Sequence, residues 1–578
     1  MTARLAVLVS IQALVGIATA AQVTRGPYLQ SAGPDRVTVC WRTDELTTSE
    51  VAIGPDASSM GPPVSTPGTR IDHFVTLTGL QAATRYYYRV SGTPESETPP
   101  VNVGGADHWF KTSPPAGEDA PLRMWVIGDS GSNLVYAPYI QFYAPSVTLY
   151  QAYRSATAAA GKTTDLWMML GDNAYNLGTD SEYQISVFDK YPELLRNSVL
   201  WSAIGNHDIA STPHPYTGPA PYDSIMAFPT AGECGGASSG TERYYSFDCG
   251  NVHFICLDSS TPGNFNDTVG TGGMMDWLIA DLKATSAAWI ITCFHHAPYS
   301  TGSHISDTEA EMTSMRQNFG PILEAYGVDL VLAGHSHVYE RSGFISGHLG
   351  TSATWNESMR KQAGNGSDLG GVTAEGLFVS GTGQAQGAYQ KPMATADSGT
   401  VYAVVGSSGT LSNWNNISPD LVNPNPHPAH MVSLRLMGGL TIDIEGPRLT
   451  GQYLDQDAAI RDDFTILKGS TYALHGAMPV TENNVSGIAF AVTREEATRY
   501  AEQVPVSVNL ISGNEVTPVQ GFADFAADQG STQVKFFPTV ENSDTRFEVQ
   551  LLPTTRALQT GGTPRSAYRI SGGPQTGQ

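Results

Sequence analysis

Five short apolar runs in the middle of the chain each stop at a small or polar residue and hand over to side chains that can bind metals. Met124–Ile127 leads into Gly128-Asp129-Ser130-Gly131, Leu166–Leu170 into Gly171-Asp172-Asn173-Ala174-Tyr175, and Leu200–Ile204 into Gly205-Asn206-His207-Asp208. Trp289–Phe294 leads into His295-His296-Ala297-Pro298, and Leu330–Ala333 into Gly334-His335-Ser336-His337. Runs of this length bounded by turn residues read as buried strands. Met274–Thr285 and Asp307–Tyr326 space their apolar residues at helical intervals, the second behind Ser306 as a candidate cap. Strands alternating with helices predict a layered α/β unit over residues 121–470. Its last part, with Val401–Val405, Met431–Met437, Leu440–Ile444 and Phe464–Leu467, is expected to complete a second sheet.

The flanks follow the two-residue period of strands. In residues 23–114, Val37, Val39 and Trp41 alternate with Arg36, Thr38 and Cys40. The segment Leu80–Val90, with Tyr86, Tyr87 and Tyr88, resembles the turn and tyrosine-corner strand of a fibronectin type III sandwich. Ser113–Gly117 reads as a linker. Residues 471–578 form a third unit, in which Val504, Val506, Val508 and Leu510 alternate, as do Phe547, Val549 and Leu551; a β-sandwich is expected. It holds no cluster of catalytic residue types. The tail Gly572–Gln578 is expected to be disordered.

Composition narrows the functional classes. With 40% hydrophobic residues in 578, the chain has material for a core and is not a disordered protein. A formal net charge of −23 repels a phosphate backbone and argues against general nucleic-acid binding, without forbidding a local positive site. Residues 1–20 read as a secretory signal: Arg4, an apolar stretch from Leu5 to Ile17, and Ala18-Thr19-Ala20 before a mature start near Ala21. That stretch is shorter than the roughly 20 residues a membrane span needs. No later segment reads as a span, so a secreted or periplasmic protein is expected. The five cysteines are too scattered for a disulfide scaffold, and no CxxC pair offers a thiolate zinc site. Cys234–Cys249 is the one pair to consider for a bridge.

Ligands in α/β sheets bind outside the carboxyl ends of the strands. If the five strands are neighbours, two Asp, one Asn, one Tyr and several His meet at one rim, and glycine at the exits lets the chain turn close to an ion. Oxygen and imidazole donors suit Zn, Mn or Fe. One ion would be over-supplied by this set, whereas two ions about 3.5–4 Å apart would use it, with Asp172 as bridge.

The blocks GDSG, GDNAY, GNHD, HHAP and GHSH resemble those of the calcineurin-like metallophosphoesterases, and the Tyr of GDNAY with the fibronectin-like N-terminal unit is similar to the purple acid phosphatases. The likeness covers about residues 23–470 and leaves the C-terminal unit outside. It implies a β-sheet sandwich flanked by helices. It also implies that Asp129, Tyr175 and His337 hold Fe(III), that Asn206, His296 and His335 hold Fe, Zn or Mn, and that Asp172 bridges. His296 is taken over His295 because His296-Ala297-Pro298 fits the family's His-x-Pro; His295 then supports the ligands from behind or is structural. His207 resembles the general acid and phosphate contact, and His304 a histidine for the substrate phosphate. Asp208 stands where plant members have Glu and is expected to orient His207. Tyr339, Glu340 and Arg341 are read as structural, with Arg341 a candidate support behind the ligands.

The reaction this implies is hydrolysis of phosphate monoesters by a metal-generated hydroxide, with His207 as proton donor. Charge arithmetic makes Tyr175 a marker for iron, since a tyrosinate offsets the extra charge of a trivalent ion. Two rivals stand beside it: a phosphodiesterase or nucleotidase on the same site, and an inactive binding or adhesion protein. No GxSxG elbow precedes a helix, so a serine nucleophile has little support.

Overall fold

A computed structural model describes residues 20–96, 98–131, 145–213, 218–367 and, in shorter stretches, parts of 370–569. The expected leader, but for Ala20, and the tail Gly572–Gln578 lie outside the described residues. No helix among the described residues is long and apolar enough to cross a membrane.

Two sheets face each other in the central unit. Leu122–Ile127, Leu166–Leu170 and Val199–Ala203 run parallel side by side in one sheet. Trp289–His296 and Leu330–Gly334 run parallel in the other, between Val252–Cys256 and Val401–Val405. The late strands divide between the sheets instead of forming one. Val401–Val405 and His430–Leu434 belong to the second sheet, whereas Gly438–Glu445 and Ile460–Lys468 belong to the first. Their pattern cannot show this, because every one of these strands is apolar enough to lie in either layer.

Burial on both faces explains the continuous apolar runs. Between the sheets Trp201 stacks on Phe247, centroids 3.6 Å apart. On the outer face of the first sheet Trp125 stacks on Tyr153 of helix Pro145–Ala159, at 4.4 Å. Leu278, Met312 and Phe319 cover the outer face of the second. A buried ion pair also joins the layers: Arg341 donates to Asp462 at 2.6 and 2.9 Å, and the Tyr339 hydroxyl donates to the same carboxylate at 2.7 Å. Both residues therefore serve the sheet packing.

Helix Met274–Ala284 forms as its pattern predicts. The second expected helix begins later and breaks into Ala310–Ser314, a wide turn Met315–Phe319 and Gly320–Ala325, with Glu309 in place of Ser306 at its cap. Pro321 has no N–H to give and its ring crowds the preceding turn, so the ladder widens there.

The N-terminal strands Val23–Gln30, Arg36–Gly54, Val64–Thr78, Arg85–Gly92 and Val101–Lys111 extend the first sheet, Leu29 pairing with Val199. The Tyr86 hydroxyl accepts from the Gln81 amide at 3.0 Å. Beyond residue 471 lie two antiparallel sheets. One holds Tyr472–Glu482, Val485–Arg494 and Ser531–Phe536; the other holds Glu515–Phe525, Glu502–Ser512, Arg546–Leu551 and Ser566–Arg569. All five cysteines are buried free thiols, so the Cys234–Cys249 bridge is not formed. Burial pushes both thiols up to about 12.

One buried histidine fixes the second sheet to its covering helix. His253 pairs through Nδ1 with Asp248 at 2.7 Å and through Nε2 with Asp281 at 2.8 Å. Burial alone would discharge the ring, but the two carboxylates win and raise it to about 9. The folded state thus binds a proton that the unfolded chain releases near 6.5. Its contribution is full below about pH 6.5 and is lost as pH rises through 9. Urea midpoints should fall across this window, and His253→Gln should remove that part of the slope. An unchanged slope in the variant would assign it to other groups.

Candidate metal centre

The five strand ends meet across the two layers. Asp129 and Asp172 carry φ of 51° each and His335 carries 70°, the left-handed region that non-glycine residues seldom occupy. Strain at three chemistry-bearing positions is the pattern of a functional site. Glycine makes the approach possible. A Cβ on Gly205 would lie 2.3 Å from Asp172 Oδ1, and one on Gly171 would lie 2.6 Å from His295 Nδ1.

Around Asp129 the Tyr175 hydroxyl lies 3.0 Å from Oδ1 and 2.9 Å from Asp172 Oδ2. His337 Nε2 is 3.2 Å from that hydroxyl and 3.5 Å from Asp129 Oδ1. The other His337 nitrogen hydrogen-bonds with Ser412 at 3.1 Å. Burial, then Asp129 and Asp172, push the Tyr175 phenol well above its ordinary range.

In the second group His295 and His296 both bring a ring nitrogen into the cluster with His335. His295 is the more widely bonded of the two. Its Nδ1–H donates to the Leu170 carbonyl at 2.9 Å. Its Nε2 faces Asn206 Oδ1 at 3.0 Å, His335 Nδ1 at 3.2 Å and Asp172 Oδ1 at 3.4 Å. His296 lies in the same cluster, with Nδ1 engaged by the Ser259 hydroxyl at 2.9 Å, which leaves its Nε2 for an ion.

His335 Nε2–H donates to Glu309 at 3.0 Å, which leaves Nδ1 as a lone pair. Glu309 also accepts from His304 Nδ1, at 2.9 and 3.0 Å. Glu309 was not legible in the sequence, because it stands 26 residues before His335 in a segment without a motif. A carboxylate behind an imidazole fixes its tautomer and raises its basicity as a ligand.

The His304 ring lies tilted against that of His335, centroids 3.8 Å apart. His207 donates Nδ1–H to the Asn176 carbonyl at 2.7 Å and places Nε2 4.0 Å from Asp172 Oδ2. About 36% of each of these two side chains is exposed, whereas Asp129 is fully buried. They form the solvent side of the cluster. Asp208 does not orient His207. Its carboxylate accepts from Asn173 N, Gly205 N and the Tyr183 hydroxyl, at 3.0, 2.8 and 2.6 Å. It ties two strand exits together, and burial followed by Asp172 pushes it up to about 7.

The donor chemistry fits metal ions. Asn206 Oδ1, Asp172 Oδ1, His295 Nε2 and His335 Nδ1 converge as four lone pairs, with both remaining ring protons already donated elsewhere. Such a set is repulsive unless a cation stands among it. In the protein alone a proton answers this need: burial opposes it, but Asp172 and Asp129 raise His295 to about 9. Asp129, Asp172 and His295, and separately His295, His296 and His335, are spaced to hold a metal ion.

The family description "Calcineurin-like phosphoesterase" matches residues 122–339, and "Purple acid Phosphatase, N-terminal domain" matches residues 25–112. Purple acid phosphatase 23 of Arabidopsis thaliana is 31% identical over 291 residues, which is 48% of this chain and 58% of that protein. Purple acid phosphatase 15 of the same plant is 28% identical over 302 residues, 48% of this chain and 50% of that protein. The chain thus spans about half the length of the curated relatives it matches. Among solved structures, purple acid phosphatase PPD1 from yellow lupin (Lupinus luteus) seeds superposes with a TM-score of 0.56 at 18% identity, over 77% of this chain and 75% of that one, a likeness of fold.

Proposed function

Since the chain is a purple acid phosphatase-like member of the calcineurin-like phosphoesterases, we propose that it is an exported dimetal phosphatase acting on phosphate monoesters. The observation that carries this reading is the convergence of carboxylate, amide, phenol and imidazole donors at five strand ends. Asp129, Tyr175 and His337 would hold one ion and Asn206, His296 and His335 the other, with Asp172 serving both and His295 bonded behind Asn206 and Asp172. When bound, the two ions, Fe(III) with Fe, Zn or Mn, would supply positive charge to the phosphoryl oxygens and an acidified water as nucleophile.

The residues of the chain do the rest. Tyr175 keeps its proton among two carboxylates, so only a strongly charged neighbour draws it off; this supports trivalent iron beside Asp129. His207 is fixed by Asn176 with Nε2 toward Asp172, so its protonated ring donates from Nε2 to the leaving oxygen. His304, tethered to Glu309, steadies a phosphate oxygen on the solvent side. The signal-like N-terminus supports a secreted or periplasmic site of action on small phosphate esters.

Proton donation matters most when the leaving group is a poor one. His207→Ala should cut kcat/KM for an alkyl phosphate by about 10²–10³-fold, within the usual range for general acid catalysis. An activated aryl phosphate should lose about tenfold or less, because its leaving group needs little protonation. Equal losses on both would remove the general-acid role. The reading as a whole is tested by phosphate release from an aryl monoester and the matching bis-aryl diester on metal-replete protein. Faster monoester turnover supports it; faster diester turnover moves the assignment to a phosphodiesterase. Absence of bound metal and of turnover on both would favour a binding protein.

A further inference from the structure

His207 is held from behind by a backbone carbonyl. Asn176, which supplies it, lies on an exposed turn between Tyr175 and the short helix Asp180–Tyr183. A carbonyl on an unrestrained turn cannot fix an imidazole, and here Glu182 restrains the turn. Its Oε1 accepts from Asn176 N at 2.6 Å. Its Oε2 accepts from Leu177 N at 3.1 Å and from Thr179 N and Oγ1 at 2.9 Å each. The turn is also pressed on the segment it serves: a Cβ on Gly178, at φ 63°, would lie 2.6 Å from the His207 carbonyl oxygen.

The helix that carries Glu182 is gripped by the N-terminal sandwich. Arg25 donates to the Asp180 carboxylate at 3.1 and 3.0 Å, and Arg42 donates to it at 2.5 Å. Arg42 in turn holds Asp72 at 2.6 and 3.0 Å. The Asp180 side chain is 43% exposed, so these pairs contribute little to stability. Charge-assisted, bidentate bonds do fix geometry, and a misplacement of about 1 Å in a reacting group can cost on the order of a hundredfold.

We propose that Glu182 is the positioning residue for His207, and that the Arg25–Asp180–Arg42 clamp makes the N-terminal sandwich part of the proton-donating apparatus. This rests on the monoesterase reading above. The test uses the full-length, metal-loaded protein with Glu182→Ala, Glu182→Asp and Asp180→Asn. Three quantities are read: bound metal per chain, kcat/KM on an alkyl and an activated aryl phosphate, and amide hydrogen exchange of residues 176–179.

Glu182→Ala should keep its metal and lose about 30-fold on the alkyl ester, part of a general acid's contribution, but no more than about threefold on the aryl ester. Exchange across the turn should rise. Glu182→Asp should restore part of the alkyl activity, and Asp180→Asn should show the same selective loss at smaller size. Equal losses on both esters, loss of metal, or unchanged exchange would each overturn the proposal. A wild type inactive on both esters would instead sink the monoesterase reading. The two failures separate because exchange reads the turn without turnover.

Discussion

Asp172→Asn is expected to lower phosphatase kcat/KM by about a thousandfold or more and to leave the chain unable to hold a pair of metal ions. Asp172 stands between the two donor groups: one oxygen lies 2.9 Å from the Tyr175 hydroxyl, the other 3.4 Å from His295 Nε2. Burial alone would protonate it, but His295 and His207 hold it well below the usual carboxylate range. An amide in its place removes one charge and one lone-pair face. Two-metal sites supply several kcal/mol of charge stabilisation, and about 4 kcal/mol corresponds to a thousandfold in rate. The variant should fold, since the change is isosteric. Elemental analysis beside steady-state kinetics checks both halves, and full turnover with two ions bound would remove Asp172 from the bridging position.

His296→Ala and His295→Ala should differ in metal content. His296 shares a donor cluster with His295 and His335, and Ser259 engages only Nδ1 of that ring, which leaves Nε2 for an ion. Its loss should remove one ion and lower kcat/KM about 10²–10³-fold, since a missing direct ligand costs at least as much as the 10–100-fold of a lost supporting partner. Losing His295 deletes the Nε2 that faces Asn206, His335 and Asp172. That variant should keep both ions, bound about 10–100-fold more weakly. Metal content decides the matter without reference to rate. Retention of two ions by His296→Ala, with loss in His295→Ala, would move the ligand to His295.

The five apolar runs ending in GD, GNHD, HHAP and GHSH determined by themselves that strands would end in metal donors. This signal is local: burial on both faces demands continuous apolar residues, and a sharp exit demands glycine. The same blocks mark Asp129, Asp172, Tyr175, Asn206, His296, His335 and His337 as one donor set. The helix Met274–Ala284 was equally legible, because its spacing depends only on its own turn.

Tertiary structure decided what depends on partners far along the chain. The hydrogen bonds of His295 to Leu170 and Asn206 span 125 and 89 residues. Glu309 reaches both His304 and His335 only because its segment packs beside the GHSH turn. Asp208 sits next to His207 in sequence, yet its carboxylate turns to Asn173, Gly205 and Tyr183, whose donors would otherwise be buried without partners. The clamp from Arg25 and Arg42 to Asp180 spans 155 and 138 residues. Sequence patterns report the demands a residue places on its neighbours in the chain. Which distant group meets a buried polar atom is settled when the sheets pack and every donor must find an acceptor.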